Sequence, residues 1–189
     1  MFFRIIPVVL ALLFAGCASA VDKSEVEQRA NPVKDLHKEI AKTTEEERNR
    51  FDWYSYEDGL IKARKEGKYV MVDFYTGWCK WCKKLDSDTY PDKAVSEYIK
   101  ANFVPVKIDA ESGARVIHEM SQITNKELAD RYEVKSYPAV WFVDSTGARA
   151  KLLNGYLPPD AFLLYLKYIK SGKYKDAEFE DWVKGGSGR

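Results

Sequence analysis

No charge of one sign dominates this chain, and that absence removes a class of function. Its 189 residues carry 30 Lys and Arg against 29 Asp and Glu, so nothing supplies the basic excess that a nucleic-acid surface needs. Histidine is scarce: His37 and His118 are the two in the chain, in unrelated polar stretches. A structural zinc takes four ligands, and one close cysteine pair gives two, so no metal centre is expected. Haem attachment would need Cys-x-x-Cys-His, and Lys83 stands where that histidine belongs. Long hydrophobic runs are missing too. The stretch Ile5–Ala15 is too short to span a bilayer, which takes about 20 residues. A hydrophobic fraction of 46% with 14% aromatic residues is enough for one core, and the length suits one domain with appendages.

The N-terminus has the anatomy of a secretory signal: a basic start at Arg4, the apolar stretch Ile5–Ala15, then small residues from Gly16 to Ala20. Two cleavage sites compete. Leu13-Phe14-Ala15-Gly16-Cys17 resembles a bacterial lipobox, which would make residues 1–16 a signal peptide and Cys17 a lipidated first residue. Ala18-Ser19-Ala20 is an ordinary A-x-A site that would release a soluble protein. The lipobox is preferred, because three cysteines leave one unpaired and an odd thiol in an exported chain needs an explanation. Acylation of Cys17 supplies it. Residues 17–50 are then a lipidated N-terminus and a charge-dense tether, with at most a short amphipathic helix through Val33, Leu36 and Ile40.

The folded domain is expected over residues 51–172, with 173–189 as a C-terminal tail holding one short amphipathic segment around Phe179 and Trp182. Ser55 to Lys65 has helical spacing and Gly67 ends it. Tyr69–Tyr75 and Phe103–Ile108 read as strands, the first apolar enough to be buried on both faces. A helix runs through the second and third cysteines, and Ala94–Ile99 continues it or forms another. Ala110–Ile123 is polar and irregular and is expected to be a loop. Thr124 and Glu127 form a capping box for a helix to Tyr132. Ala139–Val143 and Ala148–Leu153 flank the turn Asp144–Gly147 as a hairpin, and Pro158-Pro159-Asp160 opens a last helix. Strand, helix, strand, helix, hairpin, helix predicts an α/β fold: a central mixed sheet, a βαβ half plus a ββα half, with helices on both faces.

Cys79-Lys80-Trp81-Cys82 carries the chemistry. The pair sits where strand turns into helix, close enough to form a disulfide, and the helix N-terminus favours a thiolate on Cys79. Thiolate is the attacking species in disulfide exchange. A purely structural bridge is the competing reading, but closing so short a loop removes little entropy from the unfolded chain.

Taken together, Val72-Asp-Phe-Tyr75, Trp78-Cys-x-x-Cys82-Lys83, Val106-Lys-Ile-Asp109, Tyr132-x-Val134, Tyr137-Pro138-Ala139, Asp144-x-x-Gly147 and Gly155-Tyr156 resemble the thioredoxin superfamily over roughly residues 51–170. Within it, the chain is most similar to exported bacterial thioredoxin-like proteins that keep periplasmic thiols reduced. The resemblance implies a thiol–disulfide oxidoreductase of the cell envelope, with disulfide oxidase, isomerase or redox-inert binding module as alternatives. Cys79 would be the nucleophile and Cys82 the resolving thiol. Asp73, an acid in an apolar strand, would relay protons to and from Cys82, with a hydrogen-bonded core or edge position as the competing, less favoured reading. Pro138 matches the superfamily's cis proline, and Tyr137 before it departs from the smaller residues usual there. Trp78 and Trp81 would form an apolar platform for substrate, with core packing the competing reading for Trp78. Lys80 favours the Cys79 thiolate and pushes the couple towards oxidising. The resemblance further implies no cofactor, protein thiols and disulfides as substrates, a membrane or periplasmic electron donor, and a monomer held in the periplasm by lipid on Cys17.

Overall fold

In the computed structural model of the protein, residues 34–40 and 51–186 are described. Residues 34–40 form a short, exposed helix, α1, and belong to a different compact unit from residues 51–186. The signal sequence, Cys17 and most of the expected tether lie outside the described residues. None of the described helices is long and apolar enough to cross a membrane.

From residue 51 the chain runs α2 (Tyr56–Glu66), β1 (Tyr69–Tyr75), α3 (Lys80–Lys84), a π-helical turn (Leu85–Thr89), α4 (Lys93–Asn102), β2 (Phe103–Asp109), β3 (Arg115–His118), β4 (Ser121–Thr124), α5 (Asn125–Arg131), β5 (Ala139–Val143), β6 (Arg149–Asn154), α6 (Pro159–Lys170) and α7 (Phe179–Lys184). The main sheet has the order β2-β1-β5-β6, with β1 and β2 parallel and the other pairs antiparallel. This is the mixed α/β sheet that the sequence predicts.

Strand periodicity splits the core into two layers. Val70, Val72 and Phe74 face one way, with Val104 and Val106, and pack against α2 and α5. Met71 faces the other, with Phe103, Val140 and Phe142, against α4 and α6. Each large apolar side chain so buried contributes about 1.5–3 kcal/mol. Asp73 falls on the Met71 side because strand side chains alternate. Local signals set the helix ends. Ser55 accepts from the Asp58 N–H at the start of α2, and Gly67 closes it with φ +64°. Asp92 caps α4 as a separate helix, and the Thr124–Glu127 capping box opens α5.

Residues 110–123 are not the loop expected. Half of this segment lies in a second, two-stranded sheet, β3 against β4, pairing Val116 with Ile123. Those two side chains are buried while Ile117 and Gln122 face out, a period-two pattern over strands too short to register as such. Its turn is built from Glu119 and Met120 at positive φ, 49° and 61°. Gly or Asn usually fills such positions, so no turn signal marks the hairpin. The end of the chain also packs onto the domain: Trp182 is buried beside Tyr168, and Phe179 lies 4.9 Å from Tyr165, ring to ring.

Candidate active site

Cys79 is the N-cap of α3 and is joined to Cys82 by a disulfide, with their Cα atoms 5.3 Å apart. Its Sγ accepts a hydrogen bond from the Cys82 backbone N–H at 3.0 Å. That N–H is one of the first-turn donors a helix cannot use internally, and it lies where a Cys79 thiolate would need a partner. In the disulfide form both are buried, Cys79 being 3% exposed and Cys82 2%.

Asp73 comes from the middle of β1 and is fully buried. The parallel register sets Lys107 of β2 opposite it, and the Lys107 ammonium lies 3.2 Å from Oδ2. Oδ1 has no hydrogen-bond partner. Burial raises the Asp73 carboxyl above its ordinary range, and the attraction of Lys107 only partly offsets this. Lys107 is shared: it also pairs with Asp86 on the π-helical turn, and the rings of Trp53 and Tyr75 lie 4.7 and 5.1 Å from its ammonium. Asp73 is therefore a core group rather than an edge group, and the buried Tyr90 hydroxyl joins Lys107 in partly offsetting the effect of burial on it.

The aromatic residues lie around the cysteines. Trp78 is 64% exposed, which removes core packing as its role, and its indole N–H donates to both carboxylate oxygens of Glu111 at 3.0 and 3.1 Å. Its ring meets Tyr137 edge-on at 5.9 Å. The Tyr137–Pro138 peptide bond is cis, and the Pro138 carbonyl accepts from the Gly155 N–H. Burial, then the carboxylates of Glu111, Asp130 and Asp109, raise the Tyr137 phenol. On the side of α3, exposed Trp81 packs on Tyr156 at 5.5 Å, and the Lys84 ammonium sits 5.3 Å over the Tyr156 ring. His118, away from these groups, holds the Tyr56 hydroxyl at Nδ1. Cys17 lies outside the described residues.

Lys107, Asp86, Glu111 and Tyr156 belong to the site although sequence reasoning gives them no role. Lys107 and Tyr156 have a usable signal, within Val106-Lys-Ile-Asp109 and Gly155-Tyr156, but their partners follow from the fold.

The disulfide at a strand-to-helix turn of a mixed sheet, with Trp78 beside it touching the Tyr137 of a cis Tyr137–Pro138 bond, is an arrangement suited to thiol–disulfide exchange. The chain belongs to the thioredoxin-like family, whose domain, described as Thioredoxin-like domain, matches residues 56–170. It is 28% identical over 136 residues to a thiol:disulfide interchange protein DsbD of Pseudoalteromonas atlantica, covering 69% of this chain and 22% of that protein. It is 32% identical over 102 residues to protein disulfide isomerase-like 1-1 of Arabidopsis thaliana, covering 52% and 18%. A solved thioredoxin-fold protein from Helicobacter pylori superposes with a TM-score of 0.54 at 29% identity, over 64% of this chain and 80% of that one. The chain thus spans about a fifth of the length of these curated relatives.

Proposed function

We propose that this chain is an exported protein-disulfide reductase of the cell envelope. The observation that carries the reading is the Cys82 N–H held 3.0 Å from the Cys79 sulfur, which supplies a waiting donor for a thiolate. In the reduced protein the Cys79 thiolate attacks a substrate sulfur, breaking the substrate S–S bond and expelling one substrate thiolate. Cys82 then loses its proton and attacks the Cys79 sulfur of the mixed disulfide, releasing the second substrate thiolate and closing Cys79–Cys82. Two electrons pass to substrate, and the two released thiolates take up protons. Asp73, buried with a raised carboxyl, suits the role of accepting the Cys82 proton. Trp78, Trp81, Tyr137 and Pro138 frame the approach for substrate. A dithiol donor in the membrane or periplasm regenerates the reduced pair.

Residues 1–16 serve as the signal, Cys17 carries lipid, the charged segment to residue 50 tethers the domain, and the protein acts as a monomer. The relatives named as thiol:disulfide interchange proteins support thiol–disulfide exchange as the chemistry. Lys80, which favours the thiolate, supports the alternative of a disulfide oxidase. The reduction potential of the Cys79/Cys82 couple decides between them. A reductase gives a value between about −270 and −200 mV, and a value near about −120 mV makes the protein an oxidant.

A further inference from the structure

A row of three hydrogen-bonding side chains lies apart from the cysteines, under the β3–β4 hairpin. The Tyr56 hydroxyl of α2 meets the Tyr132 hydroxyl at the end of α5 at 2.8 Å and His118 Nδ1 of β3 at 2.8 Å. The rings pack together, Tyr56 edge-on to Tyr132 at 6.3 Å and His118 on Tyr132 at 5.9 Å. Both tyrosines are buried and His118 is half-buried. The Tyr132 hydroxyl has no other hydrogen-bond partner among the described residues.

A row of this kind has a direction. Each phenol carries one hydrogen, and a neutral imidazole has one nitrogen that donates and one that accepts. With Nδ1 accepting, Tyr132 donates to Tyr56, Tyr56 donates to His118, and both phenolic hydrogens are used. Protonation puts a hydrogen on Nδ1, so the row must run the other way. His118 then donates to Tyr56, Tyr56 donates to Tyr132, and the Tyr132 hydrogen is left in the core without an acceptor. A buried donor in that state bears its full desolvation penalty. The neutral ring is the form the row fits.

The charges around the ring do not reverse this. Arg131 of α5 and Arg149 of β6 oppose a positive ring. Glu119 favours one, but it lies 3.8 Å from Nε2, is exposed, and is shared with Arg131 at 3.9 Å. From α2, the Glu57 carboxylate is taken up by the Ile117 N–H, and Tyr56 stays protonated because burial raises its phenol. Burial outweighs Glu119 and holds His118 below the ordinary histidine range.

We infer that His118 is a pH-sensitive latch: neutral, it seats the β3–β4 hairpin on α2 and α5 through Tyr56 and Tyr132, and protonated, it loosens that seat. A histidine lowered in the folded state lends stability above its ordinary value and loses it as pH falls towards the folded one. The latch is thus closed above about pH 6.5 and weakens below it. The hairpin lies in the chain between Glu111, which holds Trp78, and Tyr137, which meets Trp78 edge-on. A loosened hairpin therefore frees the segment that joins them. The latch is independent of the redox direction of the cysteine pair.

The test is amide hydrogen exchange of the full-length oxidised protein at about pH 7.5 and about pH 5.5, corrected for the intrinsic rate at each pH, with the His118 ring titrated by NMR. His118 should titrate below about 6.5. Protection of the amides from Val116 to Ile123 should fall at least about threefold on acidification, each unit of lowering being worth about tenfold, while the β1 amides keep theirs. His118→Asn retains a polar group that cannot take a charge, and it should abolish the fall. Equal protection of the hairpin at both pH values, or the same fall in His118→Asn, would overturn the latch. So would a His118 that titrates at or above about 6.5 in the parent protein, a result that depends on no variant folding.

Discussion

Lys107 holds one oxygen of Asp73 at 3.2 Å and leaves the other without a hydrogen-bond partner. The acid is itself buried, with one oxygen on the lysine and the Tyr90 hydroxyl acting on it as well. Its proton affinity is raised because burial outweighs the lysine. A carboxyl in that condition can take up a proton and return it, whereas a fully paired one would stay ionised.

Asp73→Asn should therefore slow disulfide exchange near neutral pH while the fold stays intact. The expected loss is about 10²-fold, the lower end of what a positioned acid–base group contributes. Stopped-flow exchange between about pH 6 and pH 9 checks it. Rates unchanged across that range would make Asp73 a structural polar group.

The same shift has a consequence for stability. A carboxyl whose folded pKa is raised binds protons more readily in the native state. It thus supports the fold at low pH and ceases to as pH rises through the folded value. At neutral pH the buried charge works against folding. Asp73→Asn should be more stable than the parent at pH 7, and the advantage should shrink as pH falls towards about 4, with a slope no steeper than about 1.4 kcal/mol per pH unit. Urea midpoints of the oxidised proteins against pH measure this. A variant less stable than the parent at neutral pH would show that the Lys107 pair outweighs burial.

Much of this is legible in the sequence and some cannot be. The Cys79/Cys82 pair, Asp73 and the order of the main strands follow from contiguous signals: an apolar run, a Cys-x-x-Cys spacing, a turn of known chemistry. The β3–β4 hairpin escapes because Glu119 and Met120 occupy a turn that normally announces itself with Gly or Asn. Lys107 and Asp86 escape because Lys107 meets Asp73 through a parallel register and Asp86 meets Lys107 from a helical turn, contacts separated by 34 and 21 residues that no local pattern encodes. Glu111 falls in the same segment that reads as loop.

Packing at one glycine offers a separate check of the fold. A Cβ at Gly59 would lie 2.2 Å from the Cγ2 of Val106, a fully buried side chain on β2. Gly59→Ala gains about 1 kcal/mol of helix propensity but overfills the contact between α2 and the sheet, at a cost of about 1–3 kcal/mol. The variant should be destabilised in urea unfolding, and adding Val106→Ala should cost less than the sum of the single changes. A Gly59→Ala protein more stable than the parent would contradict the close approach of α2 to β2.

Location rests on Cys17. If it is acylated, the mature protein partitions with membranes and carries a lipid mass on its first residue, since several acyl chains anchor where one binds only marginally. Cys17→Ala should block processing or release a soluble protein through Ala18-Ser19-Ala20. Mass spectrometry of an unmodified mature chain beginning at Val21 would end the lipoprotein proposal.

The most direct measurement of the central claim is mixed-disulfide trapping. Cys82→Ser leaves Cys79 without its resolving partner, and it should accumulate covalent adducts with a disulfide substrate through Cys79, identifiable by peptide mapping. Cys79→Ser should trap nothing and lose reductase activity altogether. Adducts forming through Cys82 in the Cys79→Ser protein, with none in the Cys82→Ser protein, would reverse the assignment of nucleophile and contradict the account.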